Sequence, residues 1–534
     1  MFVLVIDTIQ IILGLLVAVA GLAILARKLR VAYPILFVIG GLVLGLIPGL
    51  PRPRLDPELV FLLFLPPLLY PAALFTSWRD FRANLRPISM LAIRLVLVTT
   101  AVIAFVAHKL AGLPWAVAFA LGAIVSPPDA VAATAITKGL RVPRQIVSII
   151  EGESLVNDAT ALVIYRFAVA AVVTGTFSLV MAGLEFVLAS VGGVVFGAAI
   201  GWLASCVQRR LDDPPVQTTL SLLTPFAAYL GADMVGASGV LAVVTAGLYL
   251  GWRSPEIINS RTRFQVFPVW EMVVFLLNGL IFILIGLQLP QILDNLSGQS
   301  LPKLCWQAAL LNVALILVRI AWVFAAKHFP DLLGNRRANS MPPANWRHTA
   351  IVAWTGMRGV DSMAAAMALP LSVSDGSPFP GRDLILFHTF VVILVTLVLQ
   401  GLSLPVIIRW LGVADDGVTY KEERGARLKA VQAALTWLNQ VHDQSNGPAL
   451  ARLRATYQER IAGLELGAKG EGLSWESVHT TAYERLLSEA LLAERRTILQ
   501  LRNEQVINDE VLRRIQRDLD LAELQLNLTE AANH

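Results

Sequence analysis

Charged residues are scarce in this sequence. They make up 15% of its 534 residues, whereas hydrophobic residues make up 56%. A soluble domain usually carries about 25% charged residues, so this chain has too few to cover a surface that faces water. Disordered chains are poor in apolar residues, and this chain is rich in them. The composition therefore excludes both an ordinary soluble enzyme and a disordered protein.

Cysteine and histidine are also rare. The two cysteines, Cys206 and Cys305, lie far apart in apolar segments. Two such residues cannot form a disulfide framework, and we expect free thiols. The seven histidines show no metal-binding spacing, and neither a Ser-His-Asp arrangement nor a phosphate-binding glycine loop is evident. The sequence thus predicts neither an enzyme nor a resident cofactor.

Long apolar runs are what the sequence does contain. Stretches of roughly 20 apolar residues, the length that crosses a bilayer as a helix, recur from Phe2 to Leu411. They predict an all-α polytopic membrane protein with about 13 transmembrane helices. In chain order these spans 1 to 13 are 2–26, 33–49, 57–75, 88–108, 114–136, 146–172, 178–206, 218–234, 237–251, 268–290, 304–326, 348–369 and 384–411.

The distribution of charge predicts the orientation and the domains. Lysine and arginine concentrate in alternate loops between the spans, and such loops favour the cytoplasmic side. This places the N-terminus outside and the C-terminus inside. Residues 1–414 are predicted to form the transmembrane domain, and residues 415–534 a charged cytoplasmic helical domain. The excess of positive charge lies in membrane loops, whereas residues 415–534 are net negative, so no nucleic-acid partner is expected.

Two spans contain residues that interrupt a helix. Span 5 contains Ser126-Pro127-Pro128-Asp129, and span 12 contains two glycines within 354–359. Consecutive prolines remove backbone donors and clash with the preceding turn. If the chain divides into six, one and six spans, the two breaks occupy equivalent positions. Such a pair of broken helices indicates an inverted-repeat transporter whose site lies at the breaks, because unwound backbone in lipid must line a cavity or be buried in protein.

Acidic residues cluster at and after the first break. Asp129 lies in span 5, while Glu153 and Asp158 lie in span 6. Insertion of a charged side chain at the bilayer centre costs about 2.5–3.5 kcal/mol even on the insertion scale that gives the lowest cost. Each of these acidic residues is therefore a candidate for a functional or structural role. Side chains four apart share a helix face, which places Ser154 below Asp158 and Glu153 below Asn157. With the carbonyl groups at the break they offer oxygen ligands for a hard cation, whereas zinc and copper prefer histidine and cysteine.

A single carboxylate in this setting suffices for exchange. Burial makes a carboxylate hold a proton more readily, and it can then carry either a proton or a metal cation. Alternate exposure to the two sides of the membrane would exchange one for the other. Asn157, directly before Asp158, carries no titratable charge. One working carboxylate predicts one proton per monovalent cation, and hence electroneutral exchange.

Glu153 is predicted to form a structural ion pair. An unpaired buried charge is costly, and two arginines lie within later spans. These are Arg319 in span 11 and Arg358 at the break in span 12. We favour Arg358, because the six-one-six division places span 12 beside span 5, and leave Arg319 open. Asp361, three residues after Arg358, could compete as a local partner.

These motifs together resemble the cation:proton antiporter-1 family, and most closely its bacterial sodium/proton exchanger branch. The residues that carry the resemblance are Ser126–Ala132, Gly152–Asp158 and Gly356–Gly359, with Leu65–Tyr70 and Gly236–Ala242 in support. Each motif alone is weak, but together, in this order and at this topology, they are specific. The resemblance covers about residues 5–411.

The resemblance implies roles for individual residues. Asp158 would bind the cation or the proton, and Asn157 would be the neutral partner found in electroneutral members. Asp129 would lie where the two broken helices cross and help to form the site. Ser154 would be a further ligand of the cation, and Glu153 would pair with an arginine of the second repeat.

The family also implies the architecture and the setting. A mobile core domain would move against a dimerising scaffold, as an elevator does, in a homodimer within the bacterial plasma membrane. Its partners would be membrane lipid, monovalent cations and protons, with sodium and protons as transported ions and pH homeostasis as the purpose.

The sequence departs from the family pattern at one important position, and two alternative functions remain to be considered. Asp361 occupies a position where relatives usually have a small or apolar residue, which weakens the expected arginine pairing. Potassium/proton exchange is the nearest alternative function, because the ligand set does not fix the size of the site. A proton-independent cation channel or a membrane sensor is the more distant one.

Overall fold

The chain divides into two compact units, Met1–Asp415 and Asp416–His534, in the computed structural model. In the second unit the described residues are single positions and short runs between 425 and 465, together with residue 521. They are helical, and most of the predicted tail lies outside the described residues. The described residues of the first unit are 2–29, 31–47, 57–137, 140, 142–175, 179–257, 260–296, 298–328 and 345–413.

The first unit is built from helices, as predicted, and its described residues contain no strand beyond one isolated bridge between Ser372 and Pro378. Two π-helical segments, Met90–Leu95 and Thr396–Gln400, continue α5 into α6 and α17 into α18. The α-helices are α1 (Phe2–Leu29), α2 (Tyr33–Gly45), α3 (Pro57–Phe75), α4 (Trp78–Ala83), α5 (Leu85–Ser89), α6 (Val96–Ala111), α7 (Trp115–Val125), α8 (Ala130–Thr137), α9 (Arg144–Thr174), α10 (Leu179–Gln208), α11 (Pro214–Met234), α12 (Gly239–Ile257), α13 (Ser260–Asn295), α14 (Leu301–His328), α15 (Trp346–Trp354), α16 (Val360–Met367), α17 (Arg382–Val395) and α18 (Gly401–Trp410).

The helices identify an integral membrane protein. Every predicted span overlaps at least one helix, and seven helical stretches among the described residues are long and apolar enough to cross a bilayer. These stretches are Gln10–Leu29, Leu85–Ala111, Arg144–Thr174, Gly183–Gln208, Gln265–Asn295, Leu301–Ala326 and Arg382–Trp410. That thirteen spans cross the membrane as two repeats of six about a single helix stays a prediction, as does their orientation.

Both helix breaks lie where the sequence predicts them. The helix α7 ends at Val125 and α8 begins at Ala130, with the two prolines between them. The helix α15 ends at Trp354 and α16 begins at Val360, with two glycines between them. Each break leaves four or five residues whose backbone groups need partners outside a regular helix.

The helix α9 lies between two apolar clusters and contacts both broken helices. It packs against α7, α8 and α15. Ile146 and Ile150 belong to one buried apolar cluster, whereas Leu155 and Ala159 belong to the other. Glu153, Asn157 and Asp158 of α9 are thus buried in an apolar interior, where an unsatisfied charge is costly. Elsewhere both cysteines are free thiols, as expected.

Candidate cation-binding site

The two helix breaks touch each other directly. The backbone N–H of Asp129 donates a hydrogen bond of 2.8 Å to the carbonyl oxygen of Met357. Gly359 permits this approach, since a Cβ atom at that position would lie 1.6 Å from Oδ2 of Asp129. The two breaks therefore pack directly against each other, and Asp129 of the first break contacts Met357 and Gly359 of the second.

Asp129 neutralises the positive ends of two helices. Its Oδ1 accepts a hydrogen bond of 2.7 Å from the N–H of Val131, in the first turn of α8. The carboxylate also accepts a hydrogen bond from the backbone of Val360, where α16 begins. Because helix N-termini carry partial positive charge, one carboxylate stabilises both. This accounts for a charge that is buried at the crossing, where the resemblance placed it.

Arg358 interacts with the C-terminal ends of two helices, which carry partial negative charge. Its guanidinium donates to the carbonyl oxygen of Val125 at 2.9 Å, to that of Ser126 at 3.1 Å, and to that of Gly356. These carbonyls lie at the C-terminal ends of α7 and α15, which carry partial negative charge. The backbone N–H of Arg358 donates to Thr396 Oγ1 at 3.1 Å. Backbone carbonyls thus balance the whole side chain.

Glu153 forms its ion pair with Arg319, not with Arg358 as we favoured. The two guanidinium nitrogens of Arg319 lie 2.6 and 2.8 Å from the two carboxylate oxygens of Glu153, and both residues are 1% exposed. Arg319 also donates to the carbonyl oxygen of Val352 at 3.1 Å. The bidentate pair joins α9 to α14 and α15. Arg358 is already satisfied by the helix ends, which explains the difference.

Asn157 and Ser154 hold the backbone of the first break. The amide nitrogen of Asn157 donates to the carbonyl oxygen of Pro128 at 2.8 Å. Ser154 Oγ accepts a hydrogen bond of 3.2 Å from the N–H of Ala130. Both contacts satisfy groups that the missing helical turn leaves free. The contribution of these two residues to cation binding stays a prediction.

Asp158 lines a small cavity beside the breaks. Asp158 is 3% exposed, and its Oδ2 accepts no hydrogen bond from the described residues. The space available to the centre of a water-sized sphere is about 10 Å³, close to the minimum that holds one water molecule. The cavity lining comprises Leu65, Ala123, Ile124, Pro127, Asp158, Ala161, Leu162, Tyr165, Asp361 and Ala365.

Asp361 and Tyr165 are polar residues of this cavity that were not predicted from the sequence to belong to it. Asp361 lies in the first turn of α16, and it lines the same cavity as Asp158, with the two carboxyl groups close enough to interact directly. It does not pair with Arg358. Tyr165 follows Asp158 by seven residues, a spacing that indicates the same helix face. The position of Asp361 follows only from the contact between the breaks, which no spacing in the sequence shows.

The cavity has the chemistry of a site for a hard cation. Its polar groups are carboxylate and phenol oxygens, the ligand type that alkali and alkaline-earth cations prefer over nitrogen or sulfur. Among the described residues, no lysine or arginine forms an ion pair with Asp158 or Asp361. Since buried carboxylates require compensation, a proton or a metal cation has to supply it.

Comparisons with known proteins identify the family of the chain. Residues 14–410 match the family model described as sodium/hydrogen exchanger, transmembrane. The chain belongs to this family. The resemblance to the cation:proton antiporter-1 family is thereby confirmed, and the chain is a member of a family of transporters rather than of enzymes.

Relatives cover most of the chain. An uncharacterized sodium/proton exchanger of Mycobacterium tuberculosis (strain H37Rv) is 37% identical over 97% of this chain and 96% of its own length. The sodium, potassium, lithium and rubidium/proton antiporter of Bacillus subtilis is 33% identical over 77% of this chain and 62% of its own length. The sodium proton antiporter MjNhaP1 of Methanocaldococcus jannaschii shares the fold, with a TM-score of 0.60 and 20% identity over 76% of this chain and 99% of that structure.

Proposed function

We propose that this protein is a secondary active transporter that exchanges sodium for protons across the bacterial plasma membrane. The observation that carries the proposal is the Asp158 carboxylate, which is buried beside the two helix breaks with one oxygen that accepts no hydrogen bond from the described residues. Membership of the sodium/hydrogen exchanger family supports the same function.

Asp158 is the group that binds either the cation or the proton. The other charges at the breaks have fixed partners: Asp129 at helix N-termini and Arg358 at helix C-termini. Asp158 has no such partner, so its charge is balanced by whichever ion enters the cavity. Competition between the two ions for one carboxylate couples their movements, because the site is never empty of positive charge when it crosses the membrane.

We propose electroneutral exchange, with one proton for each monovalent cation. The neutral side chain of Asn157, which holds the backbone of Pro128, supports this stoichiometry. Two acids in sequence would instead allow two protons.

Movement of an elevator type in a homodimer, with a role in pH homeostasis, is part of the proposal. The resemblance to the family supports these features. Large apolar side chains on the surface of α10, including Leu188 and Val195, are suited to contact with lipid or a second subunit.

Cations other than sodium are also candidate substrates. The relative in Bacillus subtilis is named for sodium, potassium, lithium and rubidium exchange, so potassium/proton exchange is the second candidate. A proton-independent channel or a sensor is the more distant alternative, and cation flux that does not depend on pH would favour it.

The first prediction concerns Asp158→Asn. We expect this variant to fold and insert but to lose exchange, because the amide cannot carry a proton or balance a cation. The measurement is recovery of the fluorescence of a pH-gradient dye in proteoliposomes when sodium, lithium or potassium is added. Asp375→Asn, in an exposed loop, is the matched control and should keep full exchange. Retained exchange in Asp158→Asn would overturn the assignment.

A further inference from the structure

A second carboxylate faces Asp158 across the cavity. We propose that Asp361 is a direct ligand of the transported cation, which binds between the carboxyl groups of Asp158 and Asp361. This inference rests on the proposed exchange function and deepens it, since it assigns a second ligand and a determinant of cation selectivity to the same site.

The first argument is that the two groups share one small cavity. Asp158 and Asp361 both line it, and their carboxyl groups are close enough to interact directly. Two ionised carboxylates have no donor between them, and side by side in an apolar interior they repel strongly. A positively charged particle between them converts this repulsion into two attractions. The two carboxyl groups are therefore placed as a pair of ligands for one cation.

The second argument is that the neighbouring charges are already matched. Asp129 is held by helix N-termini, Arg358 by backbone carbonyls, and Glu153 by Arg319. No described lysine or arginine forms an ion pair with either carboxylate of the facing pair. The N-terminus of α16, where Asp361 lies, supplies only partial positive charge, so a cation or proton from outside the chain has to balance the rest of the charge of this pair.

The third argument is that polar atoms of the cavity lack partners. Both Asp158 Oδ2 and the hydroxyl of Tyr165 are buried without a hydrogen bond to any described residue. Tyr165 is 8% exposed and lines the same cavity as the two carboxylates. Native proteins rarely leave such atoms unsatisfied. A cation that has lost most of its water would satisfy both groups at once.

The size of the cavity favours small cations. The space for the centre of a water-sized sphere is about 10 Å³, which is near the lower limit for one water molecule. Two carboxylates also concentrate negative charge, which favours the cation that approaches most closely. We therefore expect Asp361 to raise the affinity for lithium and sodium more than that for potassium.

The test is Asp361→Asn, which retains the shape of the side chain and removes its charge. In proteoliposomes at fixed pH, the apparent KM for sodium should rise about tenfold or more, equivalent to a loss of about 1.4 kcal/mol in binding free energy. The maximal rate should change less, because Asp158 is still present. The preference for sodium over potassium should fall. A variant with unchanged KM and selectivity would overturn the inference.

Two further variants separate a ligand from a structural residue. Asp361→Glu retains the charge and should recover part of the sodium affinity, which a merely structural role would not predict. Should Asp361→Asn fail to fold, Asp361→Ala is measured by calorimetric titration of the purified protein with sodium chloride. Weaker binding than in the unsubstituted protein supports the inference, and equal binding refutes it. Asp375→Asn again serves as the control.

Failure of this inference is distinguishable from failure of the proposed function. If the unsubstituted protein exchanges no cation for protons, the proposed function is wrong. If it exchanges sodium normally and Asp361→Asn behaves in the same way, only the role of Asp361 is refuted.

Discussion

The two buried arginines illustrate how the surroundings of a charge decide its role. Arg358 lies at the C-terminal ends of two helices, and backbone carbonyls balance it. Arg319 lies away from those ends and binds the carboxylate of Glu153 through two hydrogen bonds. An isolated buried charge costs several kcal/mol. Because the helix ends already balance the charge of Arg358, Arg319 is the arginine that pairs with Glu153.

Substitution of Glu153 by Gln should be strongly destabilising. It leaves Arg319 buried with no opposite charge, and the loss of one partner of a buried pair typically costs about 3–5 kcal/mol. The measurement is reversible unfolding of the purified protein in mixed micelles.

The double variant Glu153→Leu/Arg319→Met should recover much of this loss, since it removes both charges. A double variant no more stable than Glu153→Gln would contradict the assigned pair. Arg166→Gln is the control, because the ion pair of Arg166 with Asp233 at 3.2 Å is largely exposed. Such pairs contribute about 1 kcal/mol or less.

At the scale of helical elements, the positions of the two helix breaks could be predicted from the sequence. The side-chain contacts around the breaks could not. Consecutive prolines and closely spaced glycines disfavour a helix for local reasons, and both interruptions are found at those residues. The partner of Glu153 and the position of Asp361 depend on how the two breaks pack against each other. That contact is tertiary. The sequence shows which side chains carry charge, but not where the helix ends point.

Gly359→Ala tests the contact between the broken helices. A Cβ atom would lie 1.6 Å from Asp129 Oδ2, so the carboxylate or the backbone has to move. Overpacking of this kind typically costs about 1–3 kcal/mol, and here it would also separate Asp129 from the start of α16. We expect lower thermal stability and a large loss of sodium-dependent proton exchange, measured in detergent and in proteoliposomes.

The matched control for this substitution is Gly21→Ala in α1. Gly21 has no neighbour within 4 Å of an added Cβ atom, and alanine within a helix is favoured over glycine by about 0.5–1 kcal/mol. This variant should be as stable as the unsubstituted protein or slightly more so. Equal behaviour of the two glycine variants would contradict the close contact that we assign to Gly359.

At the scale of the whole molecule, charge balance connects the fold to the proposed exchange. Apolar clusters lie on both sides of α9 and make its surroundings apolar. The charges of Asp129, Glu153, Arg319 and Arg358 are matched within the protein. What can change during transport is therefore the occupant of the cavity beside Asp158. An exchange of one monovalent cation for one proton leaves the net charge of this cavity the same in both directions.

This balance predicts that the membrane potential does not alter the end point of exchange. One elementary charge that crosses a potential of 100 mV gains or loses about 2.3 kcal/mol, but an exchange of one cation for one proton moves no net charge. In proteoliposomes, proton flux should cease when the sodium gradient equals the proton gradient, with or without a potassium diffusion potential set by valinomycin. A sodium-free control measures any exchange of potassium itself. An end point that shifts with the imposed potential would show that a second proton moves with each cycle. The facing carboxylates of Asp158 and Asp361 would then be the candidate carriers of the two protons.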